Sequence, residues 1–146
     1  MILAVDDERD ILDLICIHLT RAGCEVMTAA SGRDALESIR VRRPDLVLLD
    51  LMLPDIDGFA ICEILRRQAA TATIPIVIVS AWNTGDSRGL GLELGALDFL
   101  TKPFSPRVLV ERVMGLLSQR KQGDDVVPAP DNWQGLDSAP KIRIPG

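Results

Sequence analysis

The sequence predicts a doubly wound α/β domain, in which parallel strands alternate with helices. Five short apolar runs recur at regular intervals, at residues 2–5, 25–29, 46–49, 76–79 and 97–100. The third and fourth runs are continuous and aliphatic, which is typical of strands buried on both faces of a parallel sheet. Helical patterns separate successive runs, and this strict alternation predicts a parallel sheet. Periodicity alone leaves the strand order open.

The five predicted helices follow the strands in turn, at residues 8–22, 32–42, 57–69, 86–94 and 105–121. The first carries one apolar stripe, and the second begins after Ser31, a residue type favoured at the N-cap. In the third, the apolar stripe lies on the opposite side from Arg66 and Arg67. The fourth contains internal glycines and is the weakest pattern. The fifth begins at Ser105 and Pro106, an N-cap followed by proline at the first helical position.

Composition restricts the class of protein. The chain has 146 residues, 47% hydrophobic and 25% charged, which is enough for one domain with its own core. Its apolar runs are too short to span a bilayer, and its start lacks a signal-peptide pattern. We therefore expect a cytoplasmic protein without membrane association, whose cysteines are reduced thiols. The net charge of −5 gives no electrostatic attraction for nucleic acid, so no direct nucleic-acid contact is expected.

The composition changes near the end of the last predicted helix. Residues 123–146 are rich in proline and glycine and carry no helical stripe. Such a segment is typical of a linker or a loose terminus. We therefore predict one domain over residues 1–121, followed by a flexible linker or C-terminal tail over residues 122–146.

Polar residues follow four of the five predicted strands. Asp6 and Asp7 come directly after the first strand, and Asp50 follows the third. Ser80 follows the fourth strand, and Lys102 follows the fifth. In an open parallel sheet, ligands bind beyond the carboxyl ends of the strands. We therefore expect these side chains to form one site at that edge.

The residue types at this edge suit phosphoryl chemistry with a divalent cation. Clustered carboxylates repel one another unless a cation neutralises them, and oxygen ligands favour Mg²⁺, Ca²⁺ or Mn²⁺. A hydroxyl and an ammonium can then bind the oxygens of a phosphoryl group. One of the carboxylates can act as a nucleophile that forms an aspartyl-phosphate.

Four segments of the chain, at residues 1–8, 45–58, 80–81 and 95–104, resemble a known family. They are similar, in order and spacing, to the receiver domain of bacterial two-component response regulators, and the resemblance covers about residues 1–121. It implies a five-stranded, CheY-like (flavodoxin-like) parallel sheet of order 2-1-3-4-5, flanked by five helices. It also implies that Lys102–Pro103 is a cis peptide bond.

The resemblance also implies roles for the site residues. Asp50 corresponds to the phosphoacceptor, which takes a phosphoryl group from a phosphohistidine of a sensor histidine kinase. Asp7, Asp50 and the backbone carbonyl of Met52 correspond to Mg²⁺ ligands, with Mn²⁺ as an alternative ion, and Asp6 acts mostly through bound water. Ser80 and Lys102 correspond to the groups that bind the phosphoryl oxygens.

The resemblance assigns a switch and an output face to the last third of the domain. Phe99 corresponds to an aromatic switch that turns inward once Ser80 moves. This region is most similar to receivers of the OmpR/PhoB type, which dimerise through the fourth helix, fifth strand and fifth helix. The matching charged positions of that dimer face are Arg88, Glu93, Asp98 and Arg112. Asp98 and Arg112 are expected to pair between subunits.

Several alternatives stay open at this point. Asp6 and Asp7 could simply cap the helix that follows them. The chain could be a Mg²⁺-dependent phosphohydrolase with an aspartyl nucleophile, or a degenerate receiver that acts only as a binding module. It could stand alone or belong to a longer regulator or hybrid kinase. Met52 and Trp82 are expected at opposite rims of the site, where apolar groups could alter the lifetime of a phosphoryl group.

Overall fold

Five parallel strands form the central sheet of the protein. The structure, a computed structural model, describes residues 1–82, 84–121, 126–127 and 142–143. The strands of the main sheet are β1 (Ile2–Val5), β2 (Val26–Ala29), β3 (Leu46–Leu49), β4 (Ile76–Ser80) and β5 (Asp98–Thr101). Their spatial order is β2-β1-β3-β4-β5, and every neighbouring pair is parallel. The predicted fold class and the strand order implied by the resemblance are therefore confirmed.

One helix connects each strand to the next, and a fifth follows the last strand. The helices are α1 (Arg9–Arg21), α2 (Gly32–Val41), α3 (Gly58–Arg67), α4 (Gly85–Glu93) and α5 (Pro106–Lys121). Ser31 caps α2 as predicted, because its hydroxyl oxygen accepts a hydrogen bond from the amide of Asp34. Helix α4 begins with a reciprocal pair of side-chain bonds between Thr84 and Ser87, which compensates in part for its internal glycines.

The core lies on both faces of the sheet because alternate residues of each strand point in opposite directions. Helices α1 and α5 cover one face, where the buried residues are Ile2, Ala4, Leu12, Ile15, Leu19, Leu46, Leu48, Val77, Val79, Leu100, Leu109 and Val113. Helices α2 and α3 contribute to the other face, where the buried strand residues are Leu3, Val5, Ala29, Val47, Leu49, Ile76, Ile78 and Phe99. The near-complete burial of β1, β3 and β4 explains their continuous aliphatic sequences.

Arg66 departs from the predicted pattern of α3. Its Nη1 donates to the carbonyl oxygens of Ala72 and Ile74, at 2.9 Å each, and its Nη2 donates to that of Gly95 at 2.8 Å. Burial of the guanidinium lowers the pKa of Arg66. The side chain therefore joins α3 to the turn after α4 instead of lying with Arg67 on the polar side of the helix.

The final segment of the chain is described only in part. Within it, strands β6 (Val126–Val127) and β7 (Ile142–Arg143) form an antiparallel pair. The remaining residues of the predicted tail, 122–125, 128–141 and 144–146, lie outside the described residues, so its flexibility stays a prediction. Among the described residues, no helix has the length and apolar character needed to cross a membrane. Cys16, Cys24 and Cys62 are free thiols, as expected.

Candidate functional site

The predicted carboxylates meet at the carboxyl edge of the sheet. Strand β1 lies directly beside β3, and the amide of Asp50 donates to the carbonyl of Val5 at 3.0 Å. This pairing brings carboxylate oxygens of Asp6, Asp7 and Asp50 within 4.8 Å of one another. Asp6 and Asp50 are buried, whereas Asp7 is exposed. All the donor atoms are hard carboxylate oxygens, so the cluster fits the ligand preference of Mg²⁺.

Lys102 completes this cluster from β5. Its amide donates to the carbonyl of Ser80 at 3.0 Å, which fixes the chain directly after the strand. Its Nζ lies 2.6 Å from Oδ2 of Asp6, 3.4 Å from Oδ2 of Asp50 and 3.5 Å from Oε1 of Glu8. The side chain of Lys102 is only 8% exposed, so these carboxylates replace most of its hydration. Glu8 was not among the predicted site residues.

Burial and charge act in opposite directions on this cluster. Burial raises the pKa of Asp6, although hydrogen bonds from Lys102 and from the amide of Glu8 partly oppose that rise. For Lys102, burial alone would lower the pKa. The hydrogen bond to Asp6 and the charges of Asp50, Asp6 and Glu8 outweigh burial and raise the pKa above its ordinary value. Lys102 is therefore held as an ammonium, ready to bind an anionic group.

Ser80 ends β4, the strand between those that lead to Asp50 and Lys102. Its side chain is fully buried, and its hydroxyl oxygen accepts a hydrogen bond from the amide of Trp82 at 3.2 Å. The hydroxyl thus lies at the same edge of the sheet as the acidic cluster. The predicted grouping of Ser80 with the carboxylates and Lys102 follows from the strand order.

Met52 and Trp82, which were expected at opposite rims of the site, both line one cavity at this edge. The two residues are 62% and 44% exposed, respectively, and the cavity, of about 530 Å³, lies between the loops after β3 and β4. The amide of Met52 donates to Oδ1 of Asp50 at 3.3 Å. The ring of Trp82 packs edge-to-face against Phe59, with 5.8 Å between the ring centroids.

The loop after Asp50 closes tightly onto its own start. The amide of Gly58 donates to the carbonyl of Leu51 at 3.0 Å, and Asp57 caps α3 by accepting from the amide of Phe59 at 2.7 Å. A Cβ atom at Gly58 would lie 2.6 Å from the carbonyl oxygen of Asp50. Only glycine allows this close approach, so the sequence Asp57-Gly58 fixes the geometry of the loop beside the site.

The side chains before α1 contact the acidic cluster and do not cap the helix. Glu8 occupies the N-cap position of α1, and no side-chain capping bond is made there. Oδ1 of Asp6 instead accepts from the amide of Glu8 at 2.9 Å, which orients the carboxylate towards Lys102. Helix capping alone therefore does not explain Asp6. The peptide bond between Lys102 and Pro103 is cis, as the resemblance implied.

The residues assigned to the switch and the dimer face lie together on α4, β5 and α5. Phe99 is buried, and the guanidinium carbon of Arg88 lies 5.1 Å from the centroid of its ring. Nη1 of Arg88 also donates to Oγ1 of Thr101 at 3.3 Å. Glu93 is exposed on α4. These contacts hold α4 against β5 beside the site.

Asp98 and Arg112, expected to pair between subunits, contact each other within one chain. Nη1 of Arg112 lies 2.7 Å from Oδ1 and 2.8 Å from Oδ2 of Asp98. This contact joins β5 to α5 within the chain, and a pairing of the two residues between subunits stays a prediction.

The family described as "Response regulator receiver domain" matches residues 2–114. The chain is 45% identical over 116 residues to the alkaline phosphatase synthesis transcriptional regulatory protein PhoP of Bacillus subtilis, covering 80% of this chain and 48% of that protein. It is 42% identical over 127 residues to the phosphate regulon transcriptional regulatory protein PhoB of Pseudomonas aeruginosa, covering 87% of this chain and 56% of that protein.

A similar structure has also been solved. It is a putative response regulator from Chloroflexus aurantiacus, with a TM-score of 0.76 and 39% identity, which covers 80% of this chain and 96% of that one.

The chain spans about half the length of the curated relatives it matches. The expectation that it makes no nucleic-acid contact gains no support from them, because both are named as transcriptional regulators. The strand order, the acidic edge with its lysine, and the match over residues 2–114 agree with one another. The chain belongs to the response regulator receiver domain family of two-component signalling systems.

Proposed function

We propose that this chain is a Mg²⁺-dependent phosphoacceptor switch, in which Asp50 receives a phosphoryl group from a phosphohistidine of a sensor histidine kinase. One observation carries the proposal: Lys102 Nζ contacts both buried carboxylates, Asp6 at 2.6 Å and Asp50 at 3.4 Å, at the edge where Asp7 is exposed. The site thus combines a buried nucleophile, Asp50, with the ammonium of Lys102 and an accessible metal ligand, Asp7.

The side chains suggest how the transfer proceeds. An oxygen of Asp50 attacks the phosphorus atom and forms a P–O bond, while the P–N bond to the imidazole breaks and its electron pair returns to the imidazole nitrogen. The ammonium of Lys102 and the hydroxyl of Ser80 are placed to bind phosphoryl oxygens as the charge shifts. Mg²⁺ held by Asp7, Asp50 and the carbonyl of Met52, with Asp6 acting through bound water, would neutralise phosphoryl charge; Mn²⁺ is an alternative ion.

The output of the switch is proposed to be the face formed by α4, β5 and α5. Ser80 would shift towards the phosphoryl group. Phe99 on β5, which pairs in register with Ile78, two residues before Ser80, would then turn inward and lock that position. The contacts from Arg88 to Phe99 and Thr101 make α4 responsive to that change. The partners would be an effector domain or a second copy of the receiver. The family relationship favours a cytoplasmic location.

This function is that of a signalling domain whose only catalysis is its own phosphorylation and dephosphorylation. A phosphohydrolase of the aspartyl-nucleophile class usually needs a substrate cap. Here the segments from β1 to α1 and from β3 to α3 are short, at residues 6–8 and 50–57. A degenerate receiver is disfavoured because Asp7, Asp50, Ser80 and Lys102 are all present at the edge.

The test is phosphorylation by acetyl phosphate with Mg²⁺, followed by intact mass measurement. The wild-type chain and the control Asp13→Asn, which changes an exposed carboxylate on α1, should each gain one phosphoryl group. Asp50→Asn should gain none, and chelation of the metal should abolish the adduct on the wild type. An equal adduct on Asp50→Asn, or none on the wild type, would sink the proposal. Continuous turnover of external phosphoesters would identify a hydrolase instead.

A further inference from the structure

The side chain of Asp55 joins the loop after the phosphoacceptor strand to the start of α2. Its Oδ1 accepts a hydrogen bond from the amide of Gly32 at 2.8 Å, and its Oδ2 accepts from the amide of Arg33 at 2.9 Å. Oδ1 also accepts from the amide of Ile56 at 2.9 Å, within the loop itself. These amides lower the pKa of the Asp55 carboxyl, Arg33 contributing most and Gly32 next.

Helix α2 divides its first free amides between two side chains. The amides of Gly32 and Arg33 bind Asp55, whereas the amide of Asp34 binds Ser31. A helix N-terminus needs partners for its first amides and also favours a negative charge, so Asp55 is well suited to this position. Because Ser31 belongs to α2 and Asp55 to the loop, the two contributions can be separated by mutation.

The loop also packs closely against the helix start. A Cβ atom at Gly32 would lie 2.8 Å from Cβ of Ile56 and 3.3 Å from Oδ1 of Asp55. Gly32 therefore permits a contact that any larger residue would obstruct. The base of the same loop is closed by the hydrogen bond from Gly58 to Leu51. Met52 lies between these two fixed points, at the base of the loop and at Asp55.

We infer that Asp55 is a positioning residue that holds the carbonyl of Met52 ready for the divalent cation. The inference rests on the proposed function, in which that carbonyl is a metal ligand. A ligand on a loop that must be ordered during binding lowers affinity, whereas a loop already tied to α2 avoids that cost. Residues that orient metal ligands without touching the ion typically change affinity by about 10- to 100-fold.

The affinity of the unphosphorylated protein for Mg²⁺ tests this inference, and its measurement does not depend on phosphorylation. Trp82 lines the same cavity as Met52 and Asp55, so its fluorescence should report on the loop. The chain has two tryptophans, and a Trp133→Phe background makes Trp82 the sole emitter. Mg²⁺ is titrated into this background and into its Asp55→Ala, Asp55→Asn and Ser31→Ala variants, with calorimetry as a second measurement and urea unfolding as a check on folding.

The expected result is a dissociation constant about tenfold higher for Asp55→Ala and an unchanged one for Ser31→Ala. Asp55→Asn keeps one acceptor oxygen and should lie between wild type and Asp55→Ala, which preserves the test if the alanine variant does not fold. Unchanged affinity in both Asp55 variants would overturn the inference, as would an equal loss in Ser31→Ala. A wild-type chain that binds no Mg²⁺ would overturn the proposed function itself, and this inference with it.

Discussion

The Nζ of Lys102 lies 2.6 Å from Oδ2 of Asp6, and both side chains are more than nine-tenths buried. Burial nonetheless raises the pKa of Asp6, so the attraction of the lysine does not fully compensate for the loss of hydration around the carboxylate. Lys102 is thus the fixed counter-ion of a cluster that carries more negative than positive charge.

Replacing Lys102 by methionine should destabilise the domain. The substitution leaves Asp6 and Asp50 buried without their cation, and breaking a buried pair in this way typically costs about 3 kcal/mol or more. The loss should shrink as pH falls through the raised pKa of Asp6, because that carboxyl group then becomes neutral. Urea unfolding at neutral and acidic pH measures both effects. Arg107→Met, at an exposed arginine of α5, should change stability by no more than about 0.5 kcal/mol. Equal effects of the two substitutions would contradict the prediction.

Asp55 should give the fold a defined acid sensitivity. Its folded-state pKa lies below the ordinary value of 3.8, so the unfolded chain takes up the proton first as pH falls. The stability that Asp55 contributes is therefore complete above 3.8 and is lost as pH falls through the lowered pKa. The difference in unfolding free energy between wild type and Asp55→Asn should shrink across that window. Ser31→Ala removes a hydrogen bond at the same helix start but no titrating group, so the difference between its unfolding free energy and that of wild type should stay constant.

Two glycine-to-alanine substitutions should have opposite signs. At Gly58, a Cβ atom would meet backbone atoms of Asp50 and Leu51 at 2.6 Å, and the chain cannot relieve that contact by rotating a side chain. We expect Gly58→Ala to destabilise the domain by about 2 kcal/mol, despite the higher helix propensity of alanine. At Gly89, within α4, an added Cβ atom would meet no neighbouring atom within 4 Å. Gly89→Ala should stabilise by about 1 kcal/mol. Thermal or urea unfolding of the two variants measures the change in stability. Changes of the same sign in both variants would refute the steric explanation.

Met52 should slow the loss of the phosphoryl group. Its exposed side chain stands at the rim of the site, where a polar group could instead orient water for attack. We expect Met52→Asn to hydrolyse about tenfold faster, which corresponds to about 1.4 kcal/mol of barrier. The decay of the phosphorylated mass after removal of the phosphodonor measures the rate. Val41→Asn changes an apolar residue on α2 that is even more exposed, and it should leave the rate unaltered. A rate for Met52→Asn at or below that of wild type would show that the side chain does not shield the site.

The strands and helices were predictable because the burial of each element places apolar residues in a regular pattern in the sequence. Strand β1 agrees with the predicted run at residues 2–5, and β4 extends one residue further than predicted, to Ser80. The helices begin and end within one or two residues of their predicted bounds. Strand order came from the resemblance alone, because local periodicity carries no record of which strands are neighbours.

The site was predictable where side chains directly follow strands. Asp6, Asp50 and Lys102 meet because parallel strands end at the same edge, whatever the loops do. Glu8 lies 94 residues from Lys102 in sequence, and Asp55 lies 23 residues from Gly32. These contacts depend on loop conformation, which the sequence pattern does not encode.

Arg66 was misplaced for a different reason. The helical pattern locates its Cα on the polar side of α3, but a long side chain can carry its charged end several ångströms from its own backbone. The guanidinium reaches carbonyl oxygens of Ala72, Ile74 and Gly95. Their availability depends on how the neighbouring turns fold.

The pairing of Asp98 with Arg112 inside one chain limits what this ion pair can contribute to the free energy of any dimer formed through this face. An interface that joined the same two residues across subunits would first have to open the internal contacts at 2.7 and 2.8 Å. Each dimer would then contain as many such ion pairs as the two separate chains had before. The exchange would determine which orientation of the two copies is allowed, while the free energy of association would have to come from apolar groups such as the exposed Leu90 on α4.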